Sequence, residues 1–226
     1  MSISENLRIV RSKIDQASKR AGREASSVKL VAATKDVPIN LIEEAIKAGI
    51  TDIGENRIQE AKAKYDTLKQ YPVTWHMIGH LQTNKVREAV KMFNVIESVD
   101  SEKLAKEISD KSAGQMEVFM EVNTSGEESK FGIDPEAAIN LARFISTQPN
   151  LKLSGLMTIG PNTGIESDIR KSFKFLVSLK DQIKELNLPG LELKYLSMGM
   201  SDDFEIAIEE GSNLVRIGRA IFGKRK

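Results

Sequence analysis

The run Val28-Lys29-Leu30-Val31-Ala32-Ala33-Thr34-Lys35 has the length and β-branched content of a buried strand, and a lysine at its end emerges where apolar interior meets a pocket. Downstream, Pro38 lies near a helix start, Leu41, Ile42, Ala45 and Ile46 keep helical spacing, and Gly49 is a stop. Upstream, Ser2 and Glu5 have capping-box spacing, and Leu7, Val10, Ile14, Ala17 and Ala21 recur at helical intervals as far as Gly22. The chain therefore opens with a helix, then enters a strand-helix unit.

That unit repeats. A step over Ile50–Ile53 precedes a breaker-poor segment, Arg57–Gln70; Val73–Gly79 reads as strand and Asn84–Met92 as helix; Val95–Val99 and Ser101–Lys111 follow. Met116–Val122 is the fifth strand, and the polar loop Asn123–Gly132 leads to Asp134-Pro135, a predicted helix cap. Leu151–Ile159 and Leu191–Met198 are strands followed by helices over Ile165–Leu186 and Ser201–Glu210, and Leu214–Ile217 is the eighth strand. Eight strands at roughly 25 to 30 residues per unit match a closed parallel (β/α)8 TIM barrel better than a doubly wound sheet of five or six strands. With no linker-like tract, residues 1–226 read as a single domain.

Composition narrows the function. The 33 basic and 32 acidic residues leave a formal net charge of +1, which provides no general field for nucleic acid or an anionic membrane. Cysteine is absent, so disulfides, thiolate nucleophiles and cysteine metal sites are excluded. Charged residues interrupt the amino-terminal stretch and no other stretch reads as a membrane span, so the expectation is a cytoplasmic soluble protein. The helical faces show no large apolar patch, and a monomer is expected.

In a barrel of this type the working residues lie at the carboxyl ends of the strands, with phosphate commonly held after strands seven and eight. A lysine amine at such a boundary is desolvated, and desolvation favours the neutral form that Schiff-base chemistry requires; the plainer reading of Lys35 is that it opens a turn. After strand seven comes Ser197-Met198-Gly199-Met200-Ser201, where Ser201 is a candidate helix N-cap and hydroxyl donor to an anion. After strand eight, Gly218 and the residues beyond it can aim backbone N–H groups at a phosphate. Asp202 and Asp203 count against an anion there, unless they point outward on a first helical turn. Arg216 sits inside an apolar strand and needs an acceptor, either an acidic neighbour or a ligand atom. His76 reads as a satisfied core histidine and His80 as a pocket-rim residue rather than as metal ligands, and the helical Glu and Lys series read as solvated faces.

Val31-Ala32-Ala33-Thr34-Lys35, Ile53-Gly54-Glu55-Asn56-Arg57, the run from His76 to Lys85, Gly155-Leu156-Met157-Thr158, the run from Leu196 to Asp203, and the run from Val215 to Gly223 follow one another across nearly the whole chain. In these stretches the sequence resembles the pyridoxal phosphate homeostasis protein family, whose fold is similar to the barrel domain of alanine racemase. The resemblance implies pyridoxal 5'-phosphate (PLP) held as an internal aldimine on Lys35, with Asn56 beside the ring. It also implies phosphate on Ser201 and the backbone of Gly218 and Arg219, Arg216 facing the pyridine nitrogen, and Met200 lining the pocket. An arginine does not readily give up its proton, so the pyridine nitrogen would stay unprotonated and the cofactor a weaker electron sink.

Racemases of that fold have, as the resemblance implies, a second domain that supplies an opposed tyrosine base. Only four residues follow Phe222 here, so the expectation is a non-catalytic PLP-binding protein of vitamin B6 and amino-acid homeostasis, with PLP-dependent apo-enzymes as candidate recipients. The alternatives are a PLP-dependent enzyme such as an amino-acid racemase, and a Schiff-base aldolase acting on a sugar phosphate.

Overall fold

Eight parallel strands close on themselves in sequence order, each hydrogen-bonded to its neighbours, with β1 paired to β8 by Val31 opposite Arg216. This computed structural model describes residues 2–127 and 129–223; the span predicted as one domain and the loop predicted over 123–132 extend beyond these, since 1, 128 and 224–226 lie outside the described residues.

The elements are α1 (Ile3–Arg20), β1 (Lys29–Ala33), α2 (Ile39–Lys47), β2 (Asp52–Glu55), α3 (Ile58–Leu68), β3 (Thr74–Met77), α4 (Val86–Met92), β4 (Val95–Val99), α5 (Glu102–Lys111), β5 (Met116–Glu121), α6 (Ala138–Ser146), β6 (Leu151–Met157), α7 (Glu166–Glu185), β7 (Leu191–Ser197), α8 (Phe204–Glu209), β8 (Leu214–Ile217) and α9 (Arg219–Phe222). The predicted (β/α)8 barrel with an additional amino-terminal helix is the observed architecture. Ser2 caps α1 by accepting the Glu5 N–H at 3.2 Å, and the helix buries Ile3, Leu7, Val10, Ile14 and Ala17 against α8, α9 and α2.

Several boundaries differ from expectation. β2 spans Asp52–Glu55 rather than Ile50–Ile53, because the ladder aligns Ile53 with Trp75 and Gly54 with His76, and interior partners satisfy Asp52. β3, β6 and β7 end at Met77, Met157 and Ser197, so the last residues of each predicted strand are loop that reaches over the barrel mouth. Asp134 makes no side-chain cap, and Pro135–Ala137 form a 3-10 turn before α6.

Strand alternation divides the core in two. Residues such as Ala32, Ile53, Ile96 and Leu156 face the helices and join one continuous apolar layer. Val31, Val95, Phe119, Met157 and Leu214 pack inside the barrel with Ile159 and Tyr195. Burying a side chain as large as Phe119 contributes about 2 to 3 kcal/mol. The remaining interior is polar, with Asp52, His76, Glu97, Ser197 and Arg216 all buried.

Candidate functional site

At the carboxyl ends of the strands lies a cavity of about 190 Å³ lined by Lys35, Asn56, Met200, Ser201, Arg216, Gly218 and Arg219, together with Ala33, Ile78 and Ile159. All seven residues singled out from sequence meet there. Ala33, Ile78 and Ile159 carried no signal of their own, since an apolar residue at a strand end looks like any other core residue.

Lys35 is half-buried and sits in the turn after β1 rather than on the strand; it opens the turn, as the plainer reading has it, and also lines the cavity. The turn is pinned on each side. Before Lys35, the Thr34 N–H donates to the Gly54 carbonyl at 2.8 Å and the Thr34 hydroxyl donates to Glu55 Oε1 at 2.7 Å. Lys64 Nζ donates to the Thr34 carbonyl at 2.8 Å and to the same Glu55 oxygen at 2.7 Å. After Lys35, Asp36 takes a left-handed φ of 55° and its N–H donates to Glu60 Oε2 at 3.1 Å.

Lys64 corrects the reading of the helical Glu and Lys series as solvated faces, because it is buried. Burial pushes the Glu55 carboxyl above the usual carboxylate range, while the bonds from Lys64 and Thr34 act in the opposite direction. Alternation from Gly54 turns Glu55 outward toward α3, and a carboxylate between a strand and an apolar helix face requires a cation; that was the available signal for Lys64. Asn56 follows directly. Its backbone crosses so close to Gly79 that a Cβ there would lie 2.4 Å from the Asn56 carbonyl oxygen.

The opposite wall is built from the turns that follow β7 and β8. Gly199, with φ of 98°, turns the chain after β7 and would carry a Cβ only 2.6 Å from that of Ala207. Ser201 is not the N-cap of α8. Residues 201–203 form a turn, the helix begins at Phe204, and Asp203 Oδ1 accepts the Met200 N–H at 2.6 Å. Ser201 instead serves α9, its Oγ accepting the Ala220 N–H at 3.2 Å while its own proton is left to donate. Among the described residues, the N–H groups of Ser201, Gly218 and Arg219 meet no acceptor. The two aspartates are accounted for as well: Asp203 is buried rather than facing outward, and Asp202 is paired with Arg219.

Arg216 is buried beneath this corner. Its Nη1 donates to the Ser197 carbonyl at 2.8 Å and to Ser197 Oγ at 2.5 Å, and Nη2 donates to the Thr158 carbonyl at 2.7 Å. Burial lowers its pKa, opposed by Glu97, Glu121 and Asp203. Burial raises the Glu121 carboxyl to about 7 although Arg216 draws it down, and Glu121 Oε2 has no partner among the described residues.

His76 lies in the core as expected, its Nδ1 2.7 Å from Glu97 and its Nε2 3.0 Å from Asp52. His80 is at the rim, stacked on the exposed Phe131 ring with centroids 4.1 Å apart and 3.3 Å from Asp100. Among the described residues no group of three or more His, Asp or Glu could hold a metal ion, and no helix is long and apolar enough to cross a membrane. A larger cavity of about 640 Å³ opens at the other mouth of the barrel, lined in part by Lys29, Asp52 and Tyr195. Its most buried amine, Lys29, is committed to Asp52 at 3.0 Å, so the smaller cavity is the better candidate for amine chemistry.

Residues 3–226 match the family model described as the alanine racemase N-terminal domain. The pyridoxal phosphate homeostasis protein of Aquifex aeolicus is 43% identical over 230 residues, covering 100% of both chains, and the Homo sapiens protein of the same name is 38% identical over 97% of this chain and 85% of its own. PipY of Synechococcus elongatus, solved with PLP bound, superposes with a TM-score of 0.86 at 33% identity over 98% of this chain and 100% of its own. Alanine racemase from Corynebacterium glutamicum, at 16% identity and a TM-score of 0.74 over 99% of this chain and 61% of its own, shares the fold. With the full-length matches and the closed barrel in agreement, the chain belongs to the pyridoxal phosphate homeostasis protein family, built on the alanine racemase N-terminal domain.

Proposed function

We propose that this chain binds PLP as a Schiff base on Lys35 and serves vitamin B6 and amino-acid homeostasis without catalytic turnover. One observation carries the reading: a half-buried amine, a buried guanidinium and a corner of N–H donors that meet no acceptor among the described residues line a single cavity. These groups fit the cofactor. The Ser201 hydroxyl and the N–H groups of Gly218 and Arg219 would hold its phosphate, as a helix-entry nest holds an anion. Asn56 would lie beside the ring, Met200 would form a wall, and Arg216 would face the pyridine nitrogen.

When bound, PLP supplies an electron sink. The chain's own residues would moderate it, because Arg216 is a donor only and would leave a facing pyridine nitrogen without a proton. Two-sided proton transfer also needs a second acid or base. Among the described residues, the ionisable groups lining the cavity are Lys35, Arg216 and Arg219, and Tyr195 lies at the other mouth of the barrel. The protein works as a monomer in the cytoplasm, on this reading, and apo-enzymes that use PLP receive the cofactor.

The test is borohydride reduction of PLP-loaded protein followed by peptide mass spectrometry. A pyridoxyl adduct on Lys35 is expected, and its absence there overturns the reading. Incubation of the loaded protein with single amino acids in deuterated water separates binding from turnover, since α-deuterium accumulating over many cycles per site would identify an enzyme.

A further inference from the structure

A single hydrogen-bonded chain crosses the barrel interior from one mouth to the other. Lys29 Nζ and His76 Nε2 each lie 3.0 Å from Asp52 Oδ1, and Thr51 Oγ1 donates to Asp52 Oδ2 at 2.7 Å. His76 Nδ1 lies 2.7 Å from Glu97 Oε1, Ser197 Oγ is 2.5 Å from Glu97 Oε2, and Arg216 Nη1 is 2.5 Å from Ser197 Oγ. We propose that His76 is a doubly protonated positioning residue which, through Glu97 and Ser197, fixes the direction of the Arg216 guanidinium at the cofactor cavity; the positioning role rests on the PLP reading.

The protons in this chain are settled by counting donors. Arginine only donates, so the Ser197 oxygen accepts from Arg216 and must give its own proton to Glu97. Lys29 only donates as an ammonium, and with Thr51 it makes Asp52 an acceptor on both oxygens. His76 thus has an acceptor at each ring nitrogen. A neutral ring would leave a lone pair against a carboxylate lone pair, unless Glu97 took the proton, and imidazole is the stronger base of the two. Burial opposes the charged ring, but the bonds to Asp52 and Glu97 outweigh it and raise the His76 pKa to about 9.

The charges then alternate through the barrel: Lys29 positive, Asp52 negative, His76 positive, Glu97 negative, Arg216 positive. Glu121 on β5 and Asp203 before α8 add acidic groups near Arg216, and Glu117 on β5 lies near Lys29. Among the described residues Arg216 is held by two carbonyls and one hydroxyl, and of these three the hydroxyl alone leads on to a charged group, Glu97. Without the His76 cation, Glu97 is a buried carboxylate short of a donor, and the Ser197 proton loses its fixed direction.

The chain has two histidines, so a nitrogen-15 histidine spectrum of the unloaded protein resolves the charge state. One ring should keep both nitrogens protonated from pH 6 to beyond pH 8, a signal absent from His76→Gln and retained in His80→Gln; a neutral His76 at pH 7 overturns the proposal. For the positioning role the probe is PLP labelled at its pyridine nitrogen. His76→Gln and Ser197→Ala should each weaken PLP binding by about tenfold and move that resonance, with the visible Schiff-base band retained and both effects reversed in Ser197→Thr. An unmoved resonance with unchanged affinity overturns the role. Wild-type protein that binds no PLP overturns the cofactor reading, and the positioning role with it, while leaving the His76 signal intact, which tells the two failures apart.

Discussion

Lys64 Nζ lies 2.8 Å from the carbonyl oxygen of Thr34, the residue directly before Lys35, and 2.7 Å from the buried Glu55 that directly precedes Asn56. One ammonium thus ties together the two strand ends that present an amine and an amide to the cavity.

Replacing Lys64 by Met should remove that tie and strand Glu55 in an apolar layer. A loss of about 3 to 5 kcal/mol in urea unfolding is expected, with a smaller loss for Lys64→Met combined with Glu55→Leu, because the pair removed together leaves no buried charge. PLP titration of the single variant should show weaker loading.

Stability should fall as pH rises from neutrality. His76 has a folded pKa of about 9 against an ordinary value of 6.5, so its contribution is complete below pH 6.5 and is lost as pH rises through 9. The size of that loss is on the order of 3 kcal/mol. Glu121 acts in the same direction over a lower range: burial raises it from 4.5 to about 7, so its contribution is complete below pH 4.5 and is lost as pH rises through 7. On the acid side burial works against the Asp52 carboxylate, but the bonds from His76, Thr51 and Lys29 hold it at about 2, so its contribution is lost only as pH falls from 3.8 through 2. Urea melts at pH 6, 7.5 and 9 check this, and His76→Gln should flatten the alkaline slope.

Gly79→Ala should destabilise by about 3 kcal/mol and impair PLP binding, because the added methyl meets the Asn56 carbonyl oxygen at 2.4 Å and backbone cannot yield as a flexible side chain can. Thermal unfolding and PLP affinity measured on one preparation check it.

Arg216→Met should deprive Glu121 of its cationic neighbour and drive that carboxyl pKa above 7. Carbon-13 carboxyl titration reads the shift. Arg216→Glu, the direct route to a protonated pyridine nitrogen, would add a carboxylate beside Glu97, Glu121 and Asp203, and the fold should tolerate it poorly. An unchanged melting temperature in Arg216→Glu would contradict this picture of the barrel interior.

The strand-helix alternation is legible in the chain because hydrophobic periodicity is local: Leu7, Val10 and Ile14 mark a helix face whatever lies above them. Boundaries were less legible at β2 and α8, where a ladder register and a turn bonded to Asp203 decide them. Of the seven cavity residues, Lys35, Ser201, Arg216 and Gly218 were legible from their place at or near a strand's carboxyl end, the face on which such barrels gather their chemistry, whereas Asn56, Met200 and the role of Arg219 came from the family resemblance.

By itself, then, the sequence determined the barrel, the order of its units and the mouth at which Lys35, Ser201 and Arg216 meet, since strand polarity places all carboxyl ends together. Only the tertiary structure decided which polar groups satisfy one another. Glu97 and Ser197 stand 100 positions apart and join because barrel closure brings β4 and β7 within reach across the interior. Ser201 caps α9 instead of α8, and Lys64 is an internal clamp instead of a solvated residue. The physical reason is common to all three: a buried donor must find an acceptor somewhere, and closure register rather than chain neighbourhood determines where that acceptor lies.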